Sequence, residues 1–189
     1  RYLPLVCTLN AARILDAACR ILGKTHDEVA QLALAAKPGA NGLTLLPYFE
    51  GERTPNRPKA TGVFAGMNLN NSNQEDIARA MVEGMLAGLA DAVDSLVALG
   101  VGVNRILLIG GAAKNPAVPV IASALFGREV LVPPAGEYVA DGAAKQAAWA
   151  LLGEMPTWNL GEVTHHTSLA TPDVMARYKE LKGNTESWS

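Results

Sequence analysis

The spacing of apolar residues predicts a chain rich in helices. Apolar positions recur every three or four residues along six stretches, near residues 10–22, 25–37, 72–99, 115–126, 139–152 and 171–181. Side chains that cap helices precede three of these stretches: Asn10, Thr25 with Glu28, and Ser72 with Glu75. Each is therefore predicted to begin a helix.

Short apolar runs between these stretches predict strands. Residues 43–48 are too few for a helix, 105–109 are almost continuously apolar, and 129–132 form another run. The run at 105–109 is typical of a strand covered on both faces. The order strand, helix, strand, helix that follows predicts an α/β fold, a largely parallel sheet flanked by helices.

The pattern weakens after Gly153, which divides the chain in two. We expect residues 1–152 to form one domain. Residues 153–189 are expected to form a packing tail with a short helix and a frayed end.

Composition and charge exclude several classes of protein. Sixteen basic residues nearly balance 18 acidic ones. Hydrophobic residues make up 49% of the chain, but charged residues interrupt every apolar stretch before it is long enough to span a bilayer. We therefore expect a soluble, cytoplasmic protein without nucleic-acid or membrane partners.

Cys7 and Cys19 lack the spacing of a disulfide framework or a zinc site. The chain begins at Arg1 without Met or a signal peptide, so we expect a piece of a longer protein.

Two glycine-containing segments are candidate binding sites. Gly62 and Gly66 flank a short apolar segment, and a residue without Cβ permits positive φ and close approach of a ligand or a backbone. Gly66 is the better candidate for a ligand contact. Gly110 and Gly111 end the run at 105–109 just before a helix, a position where free N–H groups favour an anion or nucleotide. By itself this second segment is equally compatible with a tight turn, because it is neither a G-x-G-x-x-G fingerprint nor a P-loop.

Residues 62–83 resemble the C-terminal signature of the FGGY family of carbohydrate kinases. The matching positions are Gly62-Val63-Phe64-Ala65-Gly66-Met67 and, after a spacer, Asp76-Ile77-Ala78-Arg79-Ala80-Met81-Val82-Glu83. Within the family, the segment Gly51-Glu52-Arg53-Thr54-Pro55 is most similar to xylulokinases, although a loop pinned by ion pairs would use the same residues. The resemblance covers about residues 1–152. It implies an actin-like ATPase (ribonuclease H-like) fold whose first strands are missing from this chain.

The resemblance also implies site residues. In the family, a Gly-Gly-Ala-x-x-Asn turn lies against the nucleotide, and here it corresponds to Gly110, Gly111, Ala112 and Asn115. The glycines would lie near the ribose and α-phosphate and Asn115 near adenine, while Gly66 matches a family glycine that also approaches the nucleotide. Asn115 could instead serve only as a helix cap, or do both. The implied cofactors are ATP and Mg²⁺, with the metal held mainly by the missing half.

The family's Asp-x-Gly-Thr phosphate loop and sugar-deprotonating Asp belong to an N-terminal domain absent from this chain. We therefore expect no catalytic residue, no metal ligand and no kinase activity from the chain alone. The whole enzyme is expected to transfer the γ-phosphoryl of ATP to D-xylulose. A kinase for glycerol, gluconate or ribulose remains an alternative, as does a non-catalytic nucleotide-binding or oligomerisation domain. The expected partners are ATP, the sugar and the N-terminal domain, and a homodimer is left open.

Two other groups of residues are weaker candidates. His165 and His166 are adjacent, a poor spacing for a metal site, and are expected in a solvated loop. Asp141 could be a general base, but it is better explained as a first-turn residue stabilising a helix dipole.

Overall fold

The computed structural model describes residues 3–159 and 161–188. In chain order the elements are α1 (Arg13–Leu22), α2 (His26–Ala35), β1 (Thr44–Leu46), β2 (Val63–Ala65), α3 (Gln74–Ala98), β3 (Ile106–Leu107), α4 (Ala117–Phe126), β4 (Val130–Val132), α5 (Tyr138–Leu152), β5 (Thr164–His166) and α6 (Pro172–Asn184). Short 3₁₀ turns lie at Ala40–Gly42, Gly111–Lys114 and Glu186–Trp188. None of the helices in these ranges is long and apolar enough to cross a membrane.

Helix α3 is the centre of the fold. Its first half is buried, and it packs against α1, α2, α4 and β1. Met81 and Met85 fill the core. Gly84 allows β1 to come close, because a Cβ on this residue would lie 2.6 Å from the carbonyl oxygen of Leu45. The longest helix thus organises the whole domain.

The strands form two small sheets. β1 pairs antiparallel with β2, while the second sheet has the order β3-β4-β5, with β3 parallel and β5 antiparallel to β4. Of these three pairings only one is parallel, so the described strands do not confirm a largely parallel sheet. β5 was expected to be loop. Its polar, exposed sequence gives no strand signal, and it is held by main-chain pairing with β4.

Two of the three predicted helix starts are wrong. Helix α1 begins at Arg13, and the Asn10 side chain bonds to the loop around Gly51 instead of capping it. Asn73, not Ser72, caps α3 by accepting from the Asp76 N–H at 2.8 Å. Because Ser72 and Asn73 are adjacent and both have side chains that can cap a helix, the local sequence cannot show which of them caps α3. The capping box between Thr25 and Glu28 at the start of α2 is confirmed.

The C-terminal half is less buried than the sequence indicates. β3 comprises only two residues, with Leu107 47% exposed, and the described residues of α5 include no buried side chain. The prediction of a strand covered on both faces is therefore wrong for this chain. The helix predicted at 139–152 is present, but it lies outside the core. Apolar composition indicates a surface that can be buried, but not what covers it. Helix α6, by contrast, packs against α3 and β1.

Candidate functional site

The Gly110–Asn115 turn connects β3 to α4. Gly110 has φ 96° and ψ −178°, a conformation essentially restricted to glycine. Gly111 begins the 3₁₀ turn, and a Cβ placed on it would meet no heavy atom within 4 Å. Gly110 is therefore required by the backbone itself, and open space lies beside both glycines.

Two cavities meet at this turn. The first, of about 540 Å³, lies between the carboxyl ends of β3 and β4 and the start of α5. The second, of about 400 Å³, lies between the turn and the first turns of α1 and α2. Gly111 and Lys114 line both. Volumes of this size suit a small-molecule ligand.

Asn115 lies in the wall of the second cavity and is 9% exposed. Its Oδ1 accepts from the Ala117 N–H at 3.0 Å, which satisfies a free donor at the start of α4. Its Nδ2 lies 3.5 Å from the carbonyl oxygen of His26, a long contact. Because an amide nitrogen carries two hydrogens, Nδ2 keeps donor capacity while Oδ1 caps the helix.

The rest of the second cavity combines an apolar wall with a charged rim. Ala12, Leu15 and Ala112 supply apolar surface. At the rim His26 Nε2 lies 3.1 Å from Asp16 Oδ1, and both side chains are more than half exposed. Such a cavity can accept a flat apolar ring with a polar edge. The arrangement supports binding, and none of these contacts positions a nucleophile against a base.

Gly66 lies apart from these cavities and lines neither of them. Its φ is +76°, and a Cβ there would lie 2.5 Å from the carbonyl oxygen of Gly42. The close approach predicted from the sequence is therefore confirmed, but it is an approach of main chain. A nucleotide contact for Gly66 stays a prediction, and neither cavity brings Gly66 together with Gly110.

Polar residues of the segment 76–83 form a buried network that holds the fold. Arg79 Nε donates to Glu83 Oε1 at 2.6 Å, and both residues are at most 5% exposed. The Gly39 N–H donates to the same oxygen at 2.9 Å, and Arg79 Nη1 donates to the Ala33 carbonyl at 3.3 Å. The network thus ties α3 to the end of α2. Its i, i+4 spacing could be read from the sequence, but its distant main-chain partners could not.

The two weaker candidates lie outside both cavities. His165 Nδ1, on β5, is 2.8 Å from Oε1 of Glu129, the residue before β4, and both side chains are exposed. Asp141 is exposed in the first turn of α5. No group of three His, Cys, Asp or Glu side chains within residues 3–159 and 161–188 could hold a metal ion.

Residues 6–151 match the C-terminal domain of the FGGY family of carbohydrate kinases. The xylulose kinase of Streptomyces rubiginosus is 38% identical over 156 residues, which are 82% of this chain and 31% of that protein. The xylulose kinase of Haemophilus influenzae is 35% identical over 149 residues, 79% of this chain and 30% of that protein. The chain thus spans about a third of the length of these curated relatives.

Solved structures agree with the sequence comparisons. The xylulose kinase from Bifidobacterium adolescentis superposes with a TM-score of 0.84 at 49% identity, over 96% of this chain and 36% of that one. A gluconate kinase from Lactobacillus acidophilus superposes with a TM-score of 0.74 over 92% of this chain and 36% of that one, and its 24% identity shows the fold alone. With most of its length matched in sequence and nearly all of it in structure, the chain belongs to the FGGY family of carbohydrate kinases.

Proposed function

We propose that this chain is the ATP-binding portion of a cytoplasmic sugar kinase. The whole protein would transfer the γ-phosphoryl of ATP to D-xylulose and release D-xylulose 5-phosphate. The names of the relatives at 35–49% identity support this substrate. The observation that carries the proposal is the Gly110–Asn115 turn, placed between two cavities with open space at Gly111.

We place the nucleoside in the second cavity. Adenine would lie against the apolar surface of Leu15 and Ala112, with its polar edge within reach of Asn115 Nδ2. The ribose and α-phosphate would lie by Gly110 and Gly111. Lys114 lines both cavities and would bring a positive charge toward the phosphates. Gly66 is exposed and remains a proposed contact at the edge of the assembled site.

The reacting groups would come from the rest of the polypeptide. Phosphoryl transfer depends on positioning and on neutralising charge, and Mg²⁺, held mainly by the N-terminal domain, would supply that charge when bound. Residues 1–152 would form the C-terminal nucleotide-binding domain in an actin-like (ribonuclease H-like) fold, its sheet extended by strands from outside this chain. Residues 153–189 would be a packing tail.

A chimeric kinase tests the proposal. The matching third of the Bifidobacterium adolescentis xylulose kinase would be replaced by this chain and assayed with MgATP and D-xylulose, gluconate, glycerol or ribulose. We expect D-xylulose to be the preferred substrate, and no transfer by the chain alone. A folded chimera that binds sugar but not ATP would contradict the nucleotide assignment, and preference for another sugar would contradict the substrate assignment. Transfer by the isolated chain would show that the reacting groups lie within it.

A further inference from the structure

The loop of residues 49–54 holds the segment that leads into α1. Glu52 Oε1 accepts from the Leu9 N–H at 2.8 Å, and Glu52 Oε2 accepts from Asn10 Nδ2 at 3.0 Å. Asn10 Nδ2 also donates to the Gly51 carbonyl at 2.6 Å, while its Oδ1 accepts from the Phe49 N–H at 3.1 Å. Both hydrogens and the oxygen of the Asn10 amide are thereby used.

Glu52 is 3% exposed, and within the described residues no Lys or Arg side chain pairs with its carboxylate. A buried carboxylate without a cation needs several hydrogen bonds to be tolerated. Here the Arg53 N–H adds one at 2.7 Å to those from Leu9 and Asn10. The Thr54 hydroxyl adds another link to the same segment by donating to the Cys7 carbonyl at 2.9 Å.

The loop has its own anchor on the opposite side. Glu52 and Arg57 exchange two main-chain hydrogen bonds of 2.8 Å each, which close the loop. Arg57 is 7% exposed, and its side chain donates to the Lys182 carbonyl at 2.8 Å and to Thr185 Oγ1 at 3.3 Å. The end of α6 therefore fixes the loop, and the loop fixes residues 9–10.

Helix α1 has no side-chain cap of its own at Ala12. Ala12, Arg13 and Asp16 line the second cavity, directly across from the Gly110–Asn115 turn. The body of α1 is packed in the core. Its first turn is held from outside, by the segment that precedes it and by an exposed ion pair in which Arg13 Nη2 donates to Glu50 Oε1 of the same loop at 2.8 Å. We infer that Glu52 is a positioning residue for the nucleotide site: it sets the cavity wall formed by the start of α1 without touching the ligand. This inference rests on the proposed function.

The test compares the chain with its Glu52→Gln variant. A glutamine keeps one acceptor but turns an N–H group toward Asn10 Nδ2, which cannot rotate without losing its bonds to Phe49 and Gly51. We expect roughly tenfold weaker ATP binding by calorimetric titration, because loosening of supporting contacts misplaces the groups that meet the ligand. We also expect faster hydrogen exchange confined to residues 7–16. Glu180→Gln, the same change at an exposed position on α6, should alter neither measurement.

The outcomes separate the inference from the proposed function. Normal ATP binding by the parent chain together with unchanged binding by Glu52→Gln would overturn the positioning role and leave the function intact. Failure of the parent chain to bind ATP would overturn both. Should Glu52→Gln not fold, Thr54→Val removes only the exposed link to Cys7 and is expected to weaken ATP binding roughly threefold. Unchanged affinity and exchange in that variant would also overturn the inference.

Discussion

The buried pair between Arg79 and Glu83 gives a quantitative test of how α3 is held. In an Arg79→Met variant, Glu83 would keep only the Gly39 N–H as a donor while remaining buried. Removing one partner of a buried pair typically costs about 3–5 kcal/mol, since the other charge is left without compensation. That is a large part of the ~5–15 kcal/mol that stabilises a typical domain.

Removing both charges should cost less than removing one. In Arg79→Met with Glu83→Met, no charge is stranded, but the Gly39 N–H loses its acceptor, which costs about 1–3 kcal/mol. Lys179→Met serves as the matched control, because its partner Asp94 lies with it on the surface, the two side chains being 47% and 56% exposed. An exposed pair contributes about 0–1 kcal/mol.

Urea unfolding followed by circular dichroism measures all three free energies. We expect Arg79→Met to be the most destabilised, the double variant to be intermediate and Lys179→Met to be the least destabilised. A double variant as unstable as Arg79→Met, or an Arg79→Met variant no worse than Lys179→Met, would refute the argument that a stranded buried charge dominates.

Two further predictions concern the turn and the tyrosines. Gly110→Ala should lower the free energy of unfolding by about 1–3 kcal/mol because of the backbone strain at positive φ. Gly111→Val should leave the free energy of unfolding nearly unchanged but weaken ATP binding roughly 10- to 100-fold. Urea unfolding and calorimetric titration would check the pair, and equal ATP affinity of the parent chain and Gly111→Val would contradict the contact. Burial raises the pKa of Tyr178 and Tyr48 above the ordinary 10.0, so their contribution to stability is complete below that pH and is lost as the pH rises above it. The free energy of unfolding should therefore fall between about pH 8 and about pH 11, and it should fall less in Tyr178→Phe than in the parent chain. An equal fall in the two proteins would contradict this prediction.

Sequence patterns predicted the helices and the family, because both depend on local and regular features. The 3.6-residue period located α3, and the capping box located the start of α2. The start of α1 was misplaced because Asn10 bonds to residues some 40 positions away. Local propensity carries no information about such partners.

The candidate site could be predicted only in part, for a similar reason. The glycines at 110 and 111 mark a special turn, but only coordinates show that Gly110 has a strained backbone and that both glycines face open space. The opposite wall, formed by the start of α1, is distant in sequence and has no motif of its own. The sequence predicts a close approach at Gly66 but cannot show that the main chain of Gly42 makes it, and a nucleotide contact there stays a prediction.

Whether the Gly110–Asn115 turn binds a nucleotide can be measured directly by titrating the isotope-labelled chain with ATP and following the titration by nuclear magnetic resonance. We expect chemical-shift changes concentrated in the amides of residues 110–115 and 12–16 and in the Asn115 side-chain NH₂ group. A folded chain that shows no change at millimolar ATP, or changes confined to regions such as α6, would contradict a nucleotide site at this turn.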